Sequence, residues 1–196
     1  MTRKTTPNEA RQRPQRVDAQ RNVDALLDAA KSAFGTLGVD APARDIAERA
    51  GVGVGTMYRH FPRRSDLVVA VLEHEIDACA DAGPALSAAH EPYDALTSWL
   101  DRYTEFVATK HGLAAALHSG DPAFDALPGY FWERLGPVLD ALLEAARATG
   151  EIRADISAKD LLSAVALLCH PVPREGPEYG QRMVALLVDG LRNPRD

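Results

Sequence analysis

Residues 54 to 61 carry a group of polar side chains beside an apolar stripe of helical period, which consists of Val54, Met57 and Phe61. The group consists of Thr56, Tyr58, Arg59 and His60. An arginine can make two hydrogen bonds to a guanine edge, and a threonine can bond a phosphate or touch a thymine methyl. These residue types predict a surface that contacts nucleic acid. A helix whose polar face is only hydrated is the alternative interpretation.

Two short helices joined by a tight turn are expected to position this group. Ile46, Ala47 and Ala50 give the first helix its apolar side. Gly51 is expected to end it, because glycine readily adopts the left-handed conformation that follows a helix C-terminus. Gly53 lies where the next helix would be capped. This arrangement is typical of a DNA-reading helix-turn-helix, and a plain helical hairpin remains open.

Further helices are predicted on both sides of the turn. Upstream, an apolar stripe with helical spacing runs from about Val17 to Leu37. Downstream, a longer helix is expected from Ser65 to about Ala82, where Gly83 and Pro84 interrupt it. This downstream helix would link the turn to the rest of the chain.

The remainder of the chain keeps the helical period, and no alternating strand pattern appears. We therefore predict an all-α fold with about nine helices. The later helices are expected at about residues 92–112, 113–118, 131–149, 158–170 and 178–191. Ser157 is expected to cap the helix that follows it, with Asp160 in the capping-box position.

Charge is distributed unevenly along the 196 residues, whose formal net charge is −6. Residues 1 to 66 contain 12 Lys/Arg and 8 Asp/Glu, whereas residues 67 to 196 contain 10 and 20. The whole chain is therefore not a bulk polyanion binder. The asymmetry predicts an N-terminal part that meets a polyanion and a C-terminal part that does not.

The first 17 residues are predicted to form a disordered basic arm. They contain five basic residues among Pro, Gln, Thr and Asn, with almost no apolar side chain. Two interpretations are open. The segment is either a solvated tail or an arm that adds phosphate or minor-groove contacts.

Composition and motifs argue against several other classes of protein. The two cysteines, Cys79 and Cys169, have no metal-binding spacing, so we expect buried free thiols and no metal site. No apolar leader and no run of about 18 apolar residues is present, so we expect a cytoplasmic protein that does not enter a membrane. We find no nucleophile elbow, phosphate loop or obvious carboxylate pair, and we predict neither an enzyme nor a cofactor.

Residues 21 to 72 resemble the N-terminal domain of TetR-family transcriptional regulators. The matching segments are Arg-Asp-Ile-Ala-Glu-Arg-Ala-Gly-Val at 44 to 52 and Gly-Thr-Met-Tyr-Arg-His-Phe at 55 to 61. The resemblance implies a homodimer that binds a palindromic operator on double-stranded DNA, usually as a repressor. It also implies release of the operator when a small-molecule effector enters the C-terminal domain. The implied domains are a helix-turn-helix over residues 18–64 and a helical ligand-binding and dimerisation domain over 65–196.

The resemblance also assigns DNA contacts by position. The implied DNA-binding residues are Arg44, Gly53, Gly55, Thr56, Tyr58, Arg59, His60 and Arg64. Arg64 matches a basic residue that meets phosphate at the start of the fourth helix. The chain departs from the family pattern where many members carry a phosphate-bonding Thr or Ser. Pro42 and Ala43 stand there instead, so that contact is expected to be absent.

The middle helices contain most of the aromatic residues, which predicts an apolar pocket for a small hydrophobic ligand. Aromatic residues at helical spacing also occur in an ordinary core, and this alternative remains open. The candidate ligand-binding residues are Trp99, Tyr103, Phe106, His118, Phe131 and Trp132.

The last two helices are predicted to pair with their symmetry mates in a homodimer. The alternative is that their apolar residues close the core of the chain itself. The residues concerned are Leu161, Leu162, Val165, Leu168, Val184, Leu187, Val188 and Leu191. For the whole protein, the alternative function is a DNA-binding regulator that has no small-molecule ligand and is controlled by a protein partner.

Overall fold

The computed structural model describes residues 7–153, 155–176 and 178–193, with side chains described from residue 20 onward. Over these ranges the chain forms nine α-helices and one short 3-10 helix. The only strand-like pairing in them is an isolated antiparallel bridge between Ile152 and Arg192. The all-α prediction is therefore confirmed. No helix in these ranges combines the length and the hydropathy needed to cross a bilayer.

The chain divides into two compact units, residues 1–71 and residues 72–196, here called the N-terminal unit and the C-terminal unit. The division falls inside a long helix, whereas the sequence suggested a boundary at the start of that helix. The N-terminal unit contains α1 (Pro7–Leu37), α2 (Ala43–Arg49), α3 (Val54–His60) and the start of α4 (Arg64–Ala89).

Apolar side chains from all four helices form the core of the N-terminal unit. Helix α1 packs on α2, and α2 packs on α3. The buried residues recur at helical spacing, as the sequence predicted. They include Leu26, Ala30, Phe34, Ile46, Ala47, Met57, Leu67 and Val68.

Helix α1 begins earlier than predicted, at Pro7 instead of near Val17. Proline suits a first helical position, and Glu, Ala, Arg and Gln in the following turns have good helix propensity although they form no apolar stripe. Residues 1–6 of the predicted basic arm lie outside the described residues. A contact of this arm with DNA stays a prediction.

Helix α4 continues to Ala89, so the predicted break at Gly83 and Pro84 is wrong. Proline within a helix removes one backbone hydrogen bond, but tertiary packing can compensate for that loss. Here Gly83 lets α4 approach its neighbour closely, since a Cβ atom at this position would lie 2.3 Å from Cγ1 of Val138. The indole N–H of Trp99 donates to the Cys79 carbonyl at 2.8 Å and fixes the same segment.

The C-terminal unit is built around α5 (Pro92–Gly112), which packs against α6, α7, α8 and α9. The other elements are α6 (Ala114–Leu117), the 3-10 helix (Pro122–Phe124), α7 (Leu127–Ala148), α8 (Ala158–Leu168) and α9 (Glu178–Asp189). Ser157 caps α8 as predicted, because its hydroxyl oxygen accepts the Asp160 backbone N–H at 3.1 Å.

Most of the apolar residues expected to form a dimer interface are buried within the chain itself. The buried ones are Leu161, Leu162 and Val165 on α8, Val184 and Val188 on α9, and Leu191 just after the end of α9. Leu168 and Leu187 are half-buried. The large apolar side chains that the two helices expose are instead Leu167, 69% exposed, and Leu186, 64% exposed.

Candidate nucleic-acid interface and ligand cavity

The turn between α2 and α3 has a well-defined hydrogen-bonded geometry. Gly51 adopts a left-handed conformation with φ 68°, as predicted for the residue that ends α2. Its N–H bonds the Glu48 carbonyl at 3.1 Å, and the Val52 N–H bonds the Ala47 carbonyl at 3.0 Å. This pair of bonds is the Schellman motif, which satisfies the last carbonyls of a helix and fixes the direction of the chain that leaves it.

Helix α3 is anchored by one face only. Gly53 is its N-cap, and the Gly53 carbonyl accepts the Thr56 N–H at 2.9 Å. Met57 and Phe61 are buried on the inner side, which confirms two residues of the predicted apolar stripe. Val54 is exposed, so the stripe is shorter than predicted. The outer face of α3 is therefore left to its polar residues.

The predicted DNA-binding side chains on this outer face are accessible. Tyr58 is 51% exposed, Arg59 and His60 are exposed, and Thr56 is half-buried. Arg44, in the first turn of α2, is also exposed. Within the described part of the chain, the side chains of Arg44 and Arg59 make no hydrogen bond or ion pair with another residue. Their guanidinium groups are thus uncommitted and can bind an external acceptor.

Gly53 and Gly55 leave the start of α3 open. A Cβ atom at Gly53 would first meet Oγ1 of Thr56 at 3.9 Å, and one at Gly55 would meet nothing within 4 Å. The surrounding packing therefore does not require glycine at either position. Glycine in a helix costs about 0.5–1 kcal/mol relative to alanine, and its usual benefit is close approach of another molecule to the backbone.

Arg64 has a different environment from the other predicted DNA contacts. Its guanidinium lies over the Phe34 ring, 5.1 Å from the centroid, and donates a hydrogen bond to the Ala41 carbonyl. Partial burial lowers the pKa of Arg64 from its ordinary value, and this effect outweighs the opposite influence of Asp40 and Tyr58. The side chain ties the start of α4 to α1 and to the loop before α2. No pattern in the sequence indicated this role, because Arg64 and Phe34 lie 30 positions apart.

A cavity of about 340 Å³ lies within the C-terminal unit. It is partly open to solvent and is lined by residues from α4, α5, α6, the 3-10 helix, α7 and α8, most of them apolar. The lining consists of Leu72, Ile76, Tyr103, Phe106, Lys110, Leu117, Phe124, Leu127, Pro128, Phe131, Trp132, Leu162, Ser163 and Ala166. Four of the six candidate ligand residues are therefore brought together at one cavity.

The other two candidate ligand residues, Trp99 and His118, do not line this cavity. Trp99 is completely buried, and its indole N–H is bonded to the Cys79 carbonyl, so it belongs to the packed core. His118 follows α6 and is exposed to solvent. The sequence grouped both residues with the cavity residues because they lie close to them along the chain. The helical period does not distinguish residues of a cavity wall from residues of a packed core.

The polar groups of the cavity are few. The Tyr103 hydroxyl donates to the Leu162 carbonyl at 3.1 Å, and burial raises the pKa of Tyr103, so this phenol stays neutral. The other polar groups of the lining are the Lys110 ammonium, the Ser163 hydroxyl and the indole N–H of Trp132, all on exposed residues. Sequence reasoning missed Lys110 as a cavity residue, although its position one helical turn after Phe106 was a usable signal.

An ionic network fixes α4 against α7 beside this cavity. Asp77 accepts hydrogen bonds from the Tyr130 hydroxyl at 2.7 Å and from Nε of Arg134 at 2.6 Å. Arg134 also approaches Asp81 at 3.4 Å. No such pairing was visible in the sequence, because the partners lie more than 50 positions apart. Across the described ranges, no group of three or more His, Cys, Asp or Glu residues is arranged to hold a metal ion.

Both units are similar to known proteins. Residues 26–71 match the family model described as bacterial regulatory proteins of the tetR family, and residues 91–193 match the model for the C-terminal domain of SbtR-like transcriptional regulators. The crystal structure of a TetR transcriptional regulator from Streptomyces coelicolor is 34% identical, with a TM-score of 0.72 over 88% of this chain and 99% of that one. A TetR regulatory protein from Mycobacterium vanbaalenii is also 34% identical, with a TM-score of 0.71 over 92% of this chain and 100% of that one.

A curated relative is similar over a shorter length. The HTH-type transcriptional repressor KstR of Mycolicibacterium smegmatis is 32% identical over 111 residues, which are 55% of this chain and 53% of the repressor. The match to a Staphylococcus aureus HTH-type regulator covers 66% of that protein. The chain thus spans about half to two thirds of the length of these curated relatives.

Proposed function

This chain belongs to the TetR family of transcriptional regulators, and we propose that it acts as a homodimeric repressor with a small-molecule effector. In this proposal α2 and α3 bind a palindromic DNA operator. A small apolar ligand in the cavity of the C-terminal unit then causes release. The proposal requires no catalytic residue, cofactor or resident metal ion. We expect the protein to act in the cytoplasm, where the operator is.

The observation that carries the DNA-binding proposal is the outer face of α3. It combines an uncommitted, exposed Arg59 with an exposed Tyr58 and with two glycines that the packing of the chain does not require. Arg59 would read a base edge in the major groove, and Gly53 and Gly55 would let the DNA approach the helix. Thr56, His60 and Arg44 would add contacts to phosphates or bases.

We assign Arg64 a contribution to phosphate binding, as its position in the family pattern implies. Its bond to the Ala41 carbonyl and its position over the Phe34 ring support an additional role in the unit itself. By holding the start of α4 against α1, it would keep the helix-turn-helix in its binding geometry. Part of its effect on DNA affinity would then be indirect.

Dimerisation follows from the limited reading length of one helix. A single recognition helix contacts only a few base pairs, so useful specificity requires two copies related by a two-fold axis. Half-sites would then be separated by about one helical turn, ~34–36 Å, or by another spacing that the dimer sets. We propose α8 and α9 as the pairing surface, with support from exposed Leu167 and Leu186.

Release would depend on how the ligand changes the distribution of states. A ligand shifts an equilibrium only by its different affinity for the two states. Leu72 and Ile76 of α4 line the cavity, and the same helix begins in the N-terminal unit at Arg64. We therefore propose that the ligand acts on α4. It would favour a conformation of the dimer in which the distance between the two DNA-binding units does not match the distance between the operator half-sites.

The test is footprinting on the DNA beside the coding region of this protein, repeated with candidate apolar compounds. The proposal expects a protected inverted repeat, loss of protection with an active compound, and a raised melting temperature with the same compound. A strictly monomeric protein without preference for any inverted repeat would contradict the proposal. A protected repeat that responds to no compound, and only to a second protein, would favour the partner-controlled alternative.

A further inference from the structure

The cavity of the C-terminal unit has an asymmetric charge composition that bears on its ligand. Among the described residues that line it, Lys110 is the only cation, and no aspartate or glutamate is present. This contrasts with the unit as a whole, because residues 67 to 196 contain 20 acidic and 10 basic residues. The charge of the lining is therefore opposite in sign to the net charge of the unit.

Lys110 also differs from several other cations of the unit. Arg134, Arg153 and Arg182 each approach a carboxylate within 4 Å. Within the described part of the chain, the side-chain ammonium of Lys110 makes no such pair and no hydrogen bond, although its backbone carbonyl accepts the Leu113 N–H. Its ammonium group is therefore available to a bound molecule. It is attached to the same face of α5 as Tyr103 and Phe106, which form the apolar part of the wall.

The remaining polar groups cannot replace Lys110 as the partner of a charged ligand. The Tyr103 hydroxyl is already bonded to the Leu162 carbonyl and is kept neutral by burial. Ser163 can donate one hydrogen bond but carries no charge. Trp132 can also donate a hydrogen bond from its indole N–H but carries no charge. The rest of the lining is apolar, with Phe106 and Phe131 stacked at 6.0 Å between ring centroids. The cavity thus offers one cationic group and an extended apolar surface.

We propose that the effector is a small amphipathic anion whose apolar body fills the cavity and whose monoanionic group, such as a carboxylate, pairs with Lys110. This inference rests on the proposed function, since it specifies the ligand of the same site. The volume of about 340 Å³ is near the lower end for small-molecule sites, so the apolar body is small. The ion pair is charge-assisted but partly exposed, which makes its contribution moderate.

The test uses two acid and amide pairs as probes, naphthoate with its amide and decanoate with its amide. Each pair has nearly the same apolar body and differs in charge. Calorimetric titration of the full-length protein near neutral pH should show the acid binding about three- to tenfold more tightly than the amide. The preference should decrease at high salt, because screening weakens partly exposed ion pairs.

Variants identify the cation. Lys110→Met keeps the length of the side chain and should abolish the acid preference, whereas affinity for the amides should change little. Lys110→Arg should retain the preference. Lys159→Met, at an exposed α8 lysine outside the cavity lining, is the matched control and should also retain it. Melting temperatures without a probe establish that each variant is folded.

Three results would overturn the inference. They are equal affinities for acid and amide in the unmodified protein, an acid preference that survives in Lys110→Met, and no binding of any of the four compounds. The first leaves the proposed function intact, because an apolar ligand still binds. Conversely, if the acids bind through Lys110 but do not release the operator, the ligand class is right and the proposed mechanism of regulation is wrong.

Discussion

The two units of this protein place their candidate functional residues in opposite ways. In the N-terminal unit, Tyr58, Arg59 and His60 point outward from a helix that other residues anchor. In the C-terminal unit, Tyr103 and Phe106 are buried, and they serve both the cavity wall and the packing. Substitutions can therefore affect recognition without affecting stability in the first unit, whereas in the second unit the two are coupled.

The largest expected effect concerns the two tryptophans of the C-terminal unit. Trp99 is completely buried, so Trp99→Ala should lower the free energy of unfolding by about 3–5 kcal/mol. Trp132 is 40% exposed at the cavity, so Trp132→Ala should cost much less stability and should weaken binding of an apolar probe. Denaturant unfolding and probe titration measure both quantities. Equal stability losses would break the distinction between core and cavity wall.

The next effect tests the outward face of the N-terminal unit. Arg59→Ala should weaken operator binding by about 1–3 kcal/mol if the guanidinium reads a base edge, with little change in melting temperature. Arg102→Ala, at an exposed arginine of the C-terminal unit, is the matched control and should leave operator affinity unchanged. Fluorescence anisotropy with a labelled operator measures the affinities. An unchanged affinity in Arg59→Ala would show that this residue does not read a base.

Two glycines of the helix-turn-helix should respond with opposite signs. Gly51→Ala should destabilise the protein by about 1 kcal/mol, because Gly51 has a left-handed φ of 68°. Gly55→Ala should stabilise it by up to about 1 kcal/mol, since a Cβ atom there meets nothing within 4 Å. Gly55→Ala should nevertheless weaken operator binding. If it stabilises the protein and leaves operator affinity intact, close approach of DNA at this position is disproved.

The smallest effect concerns the acid sensitivity of the C-terminal unit. Burial lowers the pKa of His111 from its ordinary value of 6.5, and nearby His170 and Lys110 act in the same direction. The Nδ1 atom of His111 is buried without a hydrogen-bond partner in the described structure. The unfolded chain therefore takes up a proton more readily than the folded one as the pH falls below the ordinary value. Stability contributed by neutral His111 is present above that value and is lost toward the lowered pKa.

Melting curves at about pH 7.5 and about pH 5.5 test this expectation. From the higher to the lower pH, the melting temperature of the unmodified protein should fall further than that of His111→Gln. The effect is expected to be small, because His111 is only partly buried. His90→Gln, at an exposed histidine, is the control and should behave like the unmodified protein. The same loss in all three proteins would mean that His111 does not contribute to the acid sensitivity.

Much of the local structure could be predicted from the sequence, because its causes lie within a few residues. Gly51 ends α2 through its own conformational freedom, and Ser157 caps α8 through an atom three residues from its partner. The exposed position of Arg59 follows from its place off the apolar stripe of α3. The sequence also contained the charge asymmetry and the segments at 44–52 and 55–61 that identify the family.

Only the tertiary structure decided which residues meet across long separations. It placed Arg64 over Phe34, carried α4 through Pro84, and separated buried Trp99 from Trp132 at the cavity. It also showed that the predicted pairing residues of α8 and α9 mostly close the chain's own core, and that Lys110 lies in the wall of the cavity. The physical reason is that helical period reveals which side of a helix is apolar. It does not reveal whether another helix, an empty space or a second molecule covers that side.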